Sequence, residues 1–250
     1  MKGPYLAGAI ALFGLCSLAS SSSRAPEASR EAEFEFARLI YQDSGYGGGR
    51  GRGSWTVDMP DAEIHLLGGI RRLTRINAAT EGEVVAATDE DLFEYPFLYA
   101  VEVGHWYLSD EEAARLREYL LRGGFLMVDD FHGSLEWEIF TESMRRIFPD
   151  RPIVDLADTN EVFHVLYDVD QRTQIPNIGN AIRGQTWEKD GYDPYWRGIY
   201  DDAGRLVVAI NFNMDLGDAW EHADHPRYPV RLTNLAYHFA IDYLLYAMTH

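Results

Sequence analysis

Short apolar segments alternate with amphipathic helical segments between residues 34 and 149, and this alternation limits the possible folds more than any other feature. A strand, a helix and a second parallel strand make a right-handed crossover, which places the helix on one face of the sheet. Repeated crossovers build a mostly parallel sheet covered by helices on both faces, so the sequence predicts an α/β three-layer sandwich. The predicted elements are a strand at 34–41, a helix that begins at Pro60, a strand at 97–103, a helix that follows a capping box at Ser109–Glu112 and ends at Arg122, a strand at 125–128, and a helix from Ser134 to just before Pro149.

The second half of the chain is expected to complete the same domain. Residues 205–211 are typical of a buried strand, and residues 153–154 are a candidate for one more. Apolar residues recur at helical spacing from Leu232 to Met248 and predict a long packed helix. Between these strands, residues 158–202 are rich in aromatic residues, Asp and Gly, and we expect loops there. Since no second domain boundary is evident, residues 34–250 are expected to form a single α/β domain.

The first 19 residues are typical of a signal peptide. Lys2 provides a positive charge, and the apolar stretch from Tyr5 to Leu18 is too short to span a bilayer comfortably. We therefore expect residues 1–19 to be removed and residues 20–33 to form a disordered tether. The mature protein is then expected in the periplasm or outside the cell. The alternatives are an uncleaved N-terminal anchor and a lipoprotein modified at Cys16.

Charge and cysteine content exclude several classes of protein. The chain has 40 acidic and 22 basic residues, a net charge of −18, whereas a general nucleic-acid binder needs a basic surface. Cys16 is the only cysteine, which excludes an intrachain disulfide or a thiol redox pair. The glycine- and arginine-rich loop at 42–55 lacks the pattern of nucleotide-binding loops, so we interpret it as a flexible lid. After the leader, no segment is long and apolar enough to span a membrane.

Acidic, amide and imidazole side chains follow the three predicted parallel strands. Ligands of an open parallel sheet bind beyond the carboxyl ends of its strands, so we expect a polar pocket at that edge. Two carboxylates and an imidazole after the third strand could bind a divalent metal or transfer a proton. In the alternative, structural interpretation, Asp130 accepts hydrogen bonds from backbone amides and Ser134 caps the next helix. The candidate binding residues are Gln42, Glu102 and His105, and the candidate catalytic residues are Asp129, Asp130 and His132.

A second polar segment follows the predicted strand at 205–211. On a helix, Asp218 and His222 share one face, which makes Asp218 a candidate metal ligand beside the acids and imidazole after the third strand. A divalent metal is the one cofactor that these residues suggest. The alternative is a solvated acidic loop, since the spacing matches no zinc motif. The candidate binding residues of this segment are Asn213, Asp215, Asp218, Trp220 and Glu221.

Aromatic residues are frequent late in the chain and allow two interpretations. Their rings could stack on sugar rings or on peptide side chains of a ligand. Aromatic residues of this kind more often cover the edge of a hydrophobic core. The residues concerned are Trp187, Tyr192, Tyr195, Trp196 and Trp220.

From Phe36 onward the chain resembles the bacterial domain-of-unknown-function family 4159. The resemblance rests on three segments, residues 120–130 (LLRGGFLMVDD), 144–149 (MRRIFP) and 211–221 (NFNMDLGDAWE). It implies a flavodoxin-like fold similar to class I glutamine amidotransferases, and no established activity. Relatives often occur in gene neighbourhoods with MoxR-type ATPases and von Willebrand A domains, which implies partners among cell-envelope proteins.

One departure from true amidotransferases excludes their chemistry. Their nucleophile is a cysteine on the turn between a strand and a helix, and residues 129–133 of this chain contain no cysteine. Glutamine hydrolysis through a cysteine thioester is therefore excluded. We expect a non-catalytic ligand- or protein-binding domain of the cell envelope. The alternatives are a metal-assisted hydrolase that uses the acidic and imidazole cluster, and a structural subunit with an acidic docking surface.

Overall fold

The computed structural model describes residues 1, 3, 32–45 and 53–250. Every element below belongs to one compact unit, Ala32–His250. Apart from Met1 and Gly3, the predicted signal peptide lies outside the described residues, as do residues 20–31 of the tether and 46–52 of the lid. No helix among the described residues has both the length and the apolar character needed to cross a membrane.

Nine strands and six α-helices make up the described part of this unit, together with three short 3-10 helices. The strands are β1 Ala37–Ile40, β2 Gln42–Asp43, β3 Glu83–Ala86, β4 Phe97–Val101, β5 Trp106–Tyr107, β6 Phe125–Asp129, β7 Val154–Asp155, β8 Tyr195–Tyr200 and β9 Leu206–Phe212. The helices are α1 Asp61–Leu73, α2 Asp110–Leu121, α3 Gly133–Ile147, α4 Ile178–Arg183, α5 Leu216–Glu221 and α6 Val230–Thr249. The 3-10 helices are Ser54–Thr56, Glu90–Glu94 and Glu161–Phe163.

Seven of the strands form one mostly parallel sheet in the order β3-β1-β4-β6-β9-β8-β7. The first five strands of this order are parallel to their neighbours, and β8 and β7 continue the sheet in antiparallel pairs. In chain order, β1 is the first strand of this sheet and β3 lies on one side of it. The chain then crosses back, and β4 lies on the other side of β1. This is the strand order of doubly wound flavodoxin-like sheets, in which the crevice for a ligand opens where the direction reverses. The strands β2 and β5 form a separate two-stranded sheet.

Helices cover both faces of the seven-stranded sheet. Alternate residues of β4 belong to two different hydrophobic clusters, Phe97, Tyr99 and Val101 to one and Leu98 and Ala100 to the other. The first cluster also contains the apolar residues of α1 and α6, and the second contains those of α2 and α3. A strand buried on both faces is apolar along most of its length, which explains the unbroken apolar runs of β4 and of residues 125–128 in β6. The predicted α/β three-layer sandwich is therefore confirmed.

The structure differs from the sequence prediction in β3, in α4 and β8, and at the start of α3. The edge strand β3 was not predicted, because two of its four residues are exposed and its sequence lacks a continuous apolar pattern. Residues 158–202 were expected to be loops but contain α4 and β8, whose residues are mostly half-buried or exposed. Ser134 does not cap α3; its N–H and its hydroxyl both donate to Asp190, which comes from a distant part of the chain. The capping box at Ser109 and Glu112 is confirmed.

Candidate functional site

Backbone strain is concentrated at the carboxyl edge of the parallel strands. Glu102, Asp130 and Asn213 come directly after β4, β6 and β9, and their φ angles are 54°, 51° and 62°. Asp58 (65°) and Lys189 (51°) complete the non-glycine residues with positive φ in the described part of the chain. A left-handed conformation costs such residues about 1–3 kcal/mol and persists where the surrounding structure enforces it, often at functional sites. Each of three neighbouring strands is thus followed by a residue in the same left-handed backbone conformation.

Three carboxylates from different parts of the chain meet at this edge. Asp130 follows β6, Asp215 precedes α5, and Asp58 precedes α1. One carboxylate oxygen from each residue lies within 4.8 Å of one oxygen from each of the other two. Asp130 and Asp215 are almost fully buried, and the buried Oδ2 atom of Asp58 has no hydrogen-bond partner. We call Asp58, Asp130 and Asp215 the carboxylate triad.

Burial and mutual repulsion oppose ionisation of the triad. Burial raises the pKa of Asp58, of Asp130 and of Asp215 well above the usual range, and neighbouring carboxylates raise all three further. Close carboxylates in a site of low dielectric cannot all be charged unless a cation compensates them. The triad therefore either retains protons at neutral pH or binds a positive charge.

Asp129, one residue before Asp130, has a separate structural role. Its Oδ2 atom accepts hydrogen bonds from the backbone N–H groups of Leu216 at 2.7 Å and Gly217 at 3.1 Å, and from the Tyr99 hydroxyl at 3.2 Å. Burial raises the pKa of Asp129 to about 7 although these amide donors lower it. Its Oδ1 atom is buried and has no partner. The turn amides that the sequence interpretation paired with Asp130 donate elsewhere, that of His132 to Glu136 and that of Gly133 to Asn213.

His132 lies against the triad as a neutral imidazole. Its Nε2 atom is 3.1 Å from Oδ1 of Asp130, and its buried Nδ1 atom has no partner. The side chain is 2% exposed, and burial lowers its pKa. A neutral imidazole with a free ring nitrogen can serve as a metal ligand or as a base. The structure therefore places His132 and Asp130 together, as the sequence interpretation requires.

A charged network joins the turn after β4 to α3. The Nε2 atom of His105 is 3.0 Å from Oε1 of Glu136 and 3.3 Å from Oε2 of Glu102. Glu136 also pairs with Lys189 and accepts the backbone N–H of His132. Although burial raises the pKa of Glu136, the hydrogen bonds from His105, Lys189 and His132 lower it to about 2. Glu136 is therefore a permanent anion that fixes the position of His105.

The residues of α5 form a third group beside the triad. The Nε2 atom of His222 is 3.3 Å from Oδ1 of Asp218 and 3.4 Å from Oε2 of Glu221. Burial raises the pKa of Asp218 to about 6, while a hydrogen bond from the Ile178 N–H lowers it. The charges of Asp218 and Glu221 also raise the pKa of Asp58, so a change of charge in this group acts on the triad.

Three of the sequence-predicted binding residues lie outside these titratable groups. Gln42 is exposed and pairs with Tyr107 in the two-stranded sheet. Asn213 accepts the Gly133 N–H at its Oδ1 atom and donates its Nδ2 atom to a backbone carbonyl, so it holds two loops together. Trp220 is buried, and its ring centroid lies 5.5 Å from that of Tyr99. Their roles in binding stay predictions.

Sequence reasoning missed Asp58 and the arginine that positions it. The Nη1 atom of Arg38 donates to the carbonyl oxygens of Trp55 at 3.0 Å and Val57 at 2.6 Å, which fixes the chain immediately before Asp58. Arg38 is completely buried and its Nε atom pairs with Glu63. The sequence signal for both residues was weak. An acid two residues before Pro60 is typical of the start of a helix, and a single arginine in a strand matches no known motif.

The triad matches the ligand preference of hard divalent cations. Mg²⁺, Ca²⁺ and Mn²⁺ prefer carboxylate oxygens, and a single bound ion would compensate the repulsion among three buried acids. His132 offers one neighbouring nitrogen through Nδ1. Because the described residues contain no thiol ligand near the triad, the donor set favours oxygen-seeking cations over zinc held by sulfur.

Comparison with known proteins agrees with the resemblance of the sequence. The family model of a domain of unknown function, DUF4159, matches residues 35–248, which is most of the chain. A search of curated proteins gave no match to the chain. The chain therefore belongs to the DUF4159 family.

Proposed function

We propose that this DUF4159 domain is an exported ligand-binding domain of the cell envelope and that its carboxylate triad binds a hard divalent cation at the ligand site. The observation that carries the proposal is the approach of one oxygen each from Asp58, Asp130 and Asp215 to within 4.8 Å of one another. The bound cation would be available to hold an oxygen-rich ligand through its open coordination positions.

Unpartnered buried atoms support a ligand at this position. The Oδ2 atom of Asp58, the Oδ1 atom of Asp129 and the Nδ1 atom of His132 are all buried without a hydrogen-bond partner. A polar atom that is buried without a partner costs about 1–3 kcal/mol, more when it is charged. A cation and its water ligands would supply partners for atoms of this kind.

The location in the sheet also supports a binding site. The triad and the His105–Glu136 pair lie beyond the carboxyl ends of β4, β6 and β9, beside the position where the strand order reverses. This is the general position of ligand sites in doubly wound sheets. Export rests on the signal-peptide character of residues 1–19, and envelope partners rest on the family resemblance.

The direct test is Mn²⁺ binding, followed by electron paramagnetic resonance of the free ion. We expect about one ion per chain, displaced by Mg²⁺ or Ca²⁺, and binding lost in Asp58→Asn, Asp130→Asn and Asp215→Asn. Asp242→Asn is the matched control, because Asp242 is a buried carboxylate with a raised pKa whose Oδ1 atom accepts two amides between α6 and residues 166–167. Absence of Mn²⁺ binding in the unmodified protein, or equal binding in all four variants, would contradict the proposal.

A metal-assisted hydrolase is the second candidate, and the contact between His132 and Asp130 favours it. A cation at the triad would lower the pKa of a bound water, and a neutral imidazole or a carboxylate at the site would accept its proton. The test is hydrolysis of bis-p-nitrophenyl phosphate and p-nitrophenyl acetate with Mn²⁺. Turnover that requires the ion and is lost in His132→Ala supports the hydrolase, whereas bound Mn²⁺ without turnover supports binding alone.

A further inference from the structure

A cavity lined by aromatic rings lies beside the turn that follows β6. Its volume is about 210 Å³, and it is not part of the carboxylate triad. The rings of Trp137, Tyr195 and Phe212 line it together with that of Tyr192. The centroids of Trp137 and Phe212 are 4.7 Å apart, and those of Tyr195 and Phe212 are 6.1 Å apart and stacked. Trp137, Phe212 and Tyr195 therefore form a continuous aromatic wall.

Aromatic side chains at the mouth of this cavity are unusually exposed. Tyr192 is 63% exposed and Tyr195 is 38% exposed. Trp187, 39% exposed, lies against Tyr192 with 5.9 Å between the ring centroids. Isolated exposed apolar residues are ordinary, but several exposed rings grouped around one cavity are typical of a binding surface.

We propose that this cavity is a binding subsite for one ring of an uncharged glycan. The apolar C–H face of a sugar ring packs on aromatic rings, and its hydroxyl groups donate to carboxylates. Asp190 and Asp193 line the same cavity as the rings. The cavity therefore offers aromatic rings to the apolar face of a sugar and carboxylates to its hydroxyl groups. The proposal stands on this cavity and does not require a cation at the triad.

Charge around the cavity selects an uncharged ligand over an ionic one. The Arg197 guanidinium carbon already lies 4.5 Å from the ring centroid of Trp137 and 4.2 Å from that of Tyr195. Arg197 covers part of these two rings and would repel a second cation there, so the sugar is expected to pack on the ring surface that Arg197 leaves free, chiefly that of Tyr192. The two aspartates and the net charge of −18 repel anionic sugars such as uronic acids. A neutral sugar avoids both penalties.

The cavity shares its walls with the loops of the carboxylate triad. Gly133 and Asn213 line it, and the Oδ1 atom of Asn213 accepts the Gly133 N–H at 2.9 Å. Gly133 lies three residues after Asp130, and Asn213 two residues before Asp215. A glycan longer than one ring would therefore extend along the loops that carry the triad.

The test uses the purified chain and three neutral probes, chitotetraose, cellotetraose and maltotetraose, followed by tryptophan fluorescence. We expect a saturable change with at least one probe, and affinity weakened about fivefold in Tyr192→Ala and in Tyr195→Ala, which corresponds to about 1 kcal/mol for one stacked ring. Tyr107→Ala is the matched control, because Tyr107 is 48% exposed on β5 and does not line the cavity. It should bind with full affinity.

Three results would overturn the proposal. They are the absence of a saturable change with all three probes, undiminished affinity in both cavity variants, and tighter binding of tetramethylammonium than of any glycan. Thermal melting of each variant accompanies the titration. Because Tyr192 is mostly exposed, we expect Tyr192→Ala to melt within about 2 °C of the unmodified protein, so its loss of affinity reports the cavity itself. Tyr195 also packs on Phe212, so Tyr195→Ala is expected to melt lower and is titrated at a temperature at which it is folded.

Discussion

The Oδ2 atom of Asp129 lies 2.7 Å from the backbone nitrogen of Leu216 and accepts its hydrogen bond. This contact ties the end of β6 to the first turn of α5, which carries Asp218 and follows Asp215. The adjacent residue Asp130 makes no such backbone contact through its side chain among the described hydrogen bonds, and it belongs to the triad. Two neighbouring aspartates therefore have different roles.

Asp129→Ala is expected to lower the free energy of unfolding by about 2–4 kcal/mol, because it leaves buried N–H and hydroxyl donors without an acceptor. Asp130→Asn is expected to raise it at pH 8 in EDTA, because the buried amide is neutral there without having to take up a proton. Urea denaturation measures both. Equal losses in the two variants would show that the residues do not divide the roles in this way.

Stability of the metal-free protein is expected to fall as the pH rises from 5 to 8. Burial raises the pKa of Asp129 to about 7 and that of Asp218 to about 6. A carboxyl whose pKa is raised by folding stabilises the protein fully below its unfolded pKa, near 4, and this contribution is lost as the pH rises through the folded pKa. We expect the melting temperature to drop by roughly 5 °C over this window in EDTA.

Added Mn²⁺ should reverse much of this loss at pH 8, because the ion binds ionised carboxylates and stabilises the folded state. Asp58→Asn should remove the effect of Mn²⁺, and Asp242→Asn should retain it. A melting temperature that does not change between pH 5 and 8 in EDTA would contradict the raised pKa values.

The sequence was sufficient for the sheet because a strand buried on both faces is apolar along most of its length. This signal is carried by β4, by residues 125–128 of β6 and by residues 206–210 of β9, and the amphipathic helices between the strands imply the crossovers. Strands at the sheet edge lack it. The half-exposed sequence of β8 and the four residues of β3 are compatible with loops until their pairing partners are known.

The sequence predicts where the site lies in the sheet, but not which of its side chains are in contact. Parallel strands align their carboxyl ends, which places Glu102, His105, Asp130 and His132 at one edge. Which acids touch depends on loops whose path has no periodic signal. Asp58 reaches the triad because buried Arg38 holds the carbonyl groups of residues 55 and 57, a contact across the chain that no local pattern predicts.

Glu136→Gln is expected to lower the free energy of unfolding by about 1–3 kcal/mol at pH 7, since it removes the partner of Lys189 and His105. The pKa of Glu136 is lowered to about 2, so its stabilising contribution is present above its unfolded pKa and is lost only as the pH falls towards 2. The cost should therefore be constant between pH 5 and 8. Glu138→Gln, an exposed position on the same helix, is the control and should change stability by less than about 0.5 kcal/mol.

Gly217→Ala tests whether the position of Asp58 matters for the cation. A Cβ atom at residue 217 would lie 2.4 Å from Oδ2 of Asp58 and 2.7 Å from the Tyr99 hydroxyl oxygen, so the Asp58 carboxylate must move. We expect Mn²⁺ affinity to fall at least about tenfold and the free energy of unfolding to fall by about 1–3 kcal/mol. Gly68→Ala is the matched control, because Gly68 lies within α1 and its Cβ would approach no side chain closer than 4.0 Å. It should raise the free energy of unfolding by about 0.5–1 kcal/mol and leave Mn²⁺ binding unchanged.

Full Mn²⁺ affinity in Gly217→Ala would mean that Asp58 is not a ligand in its present position.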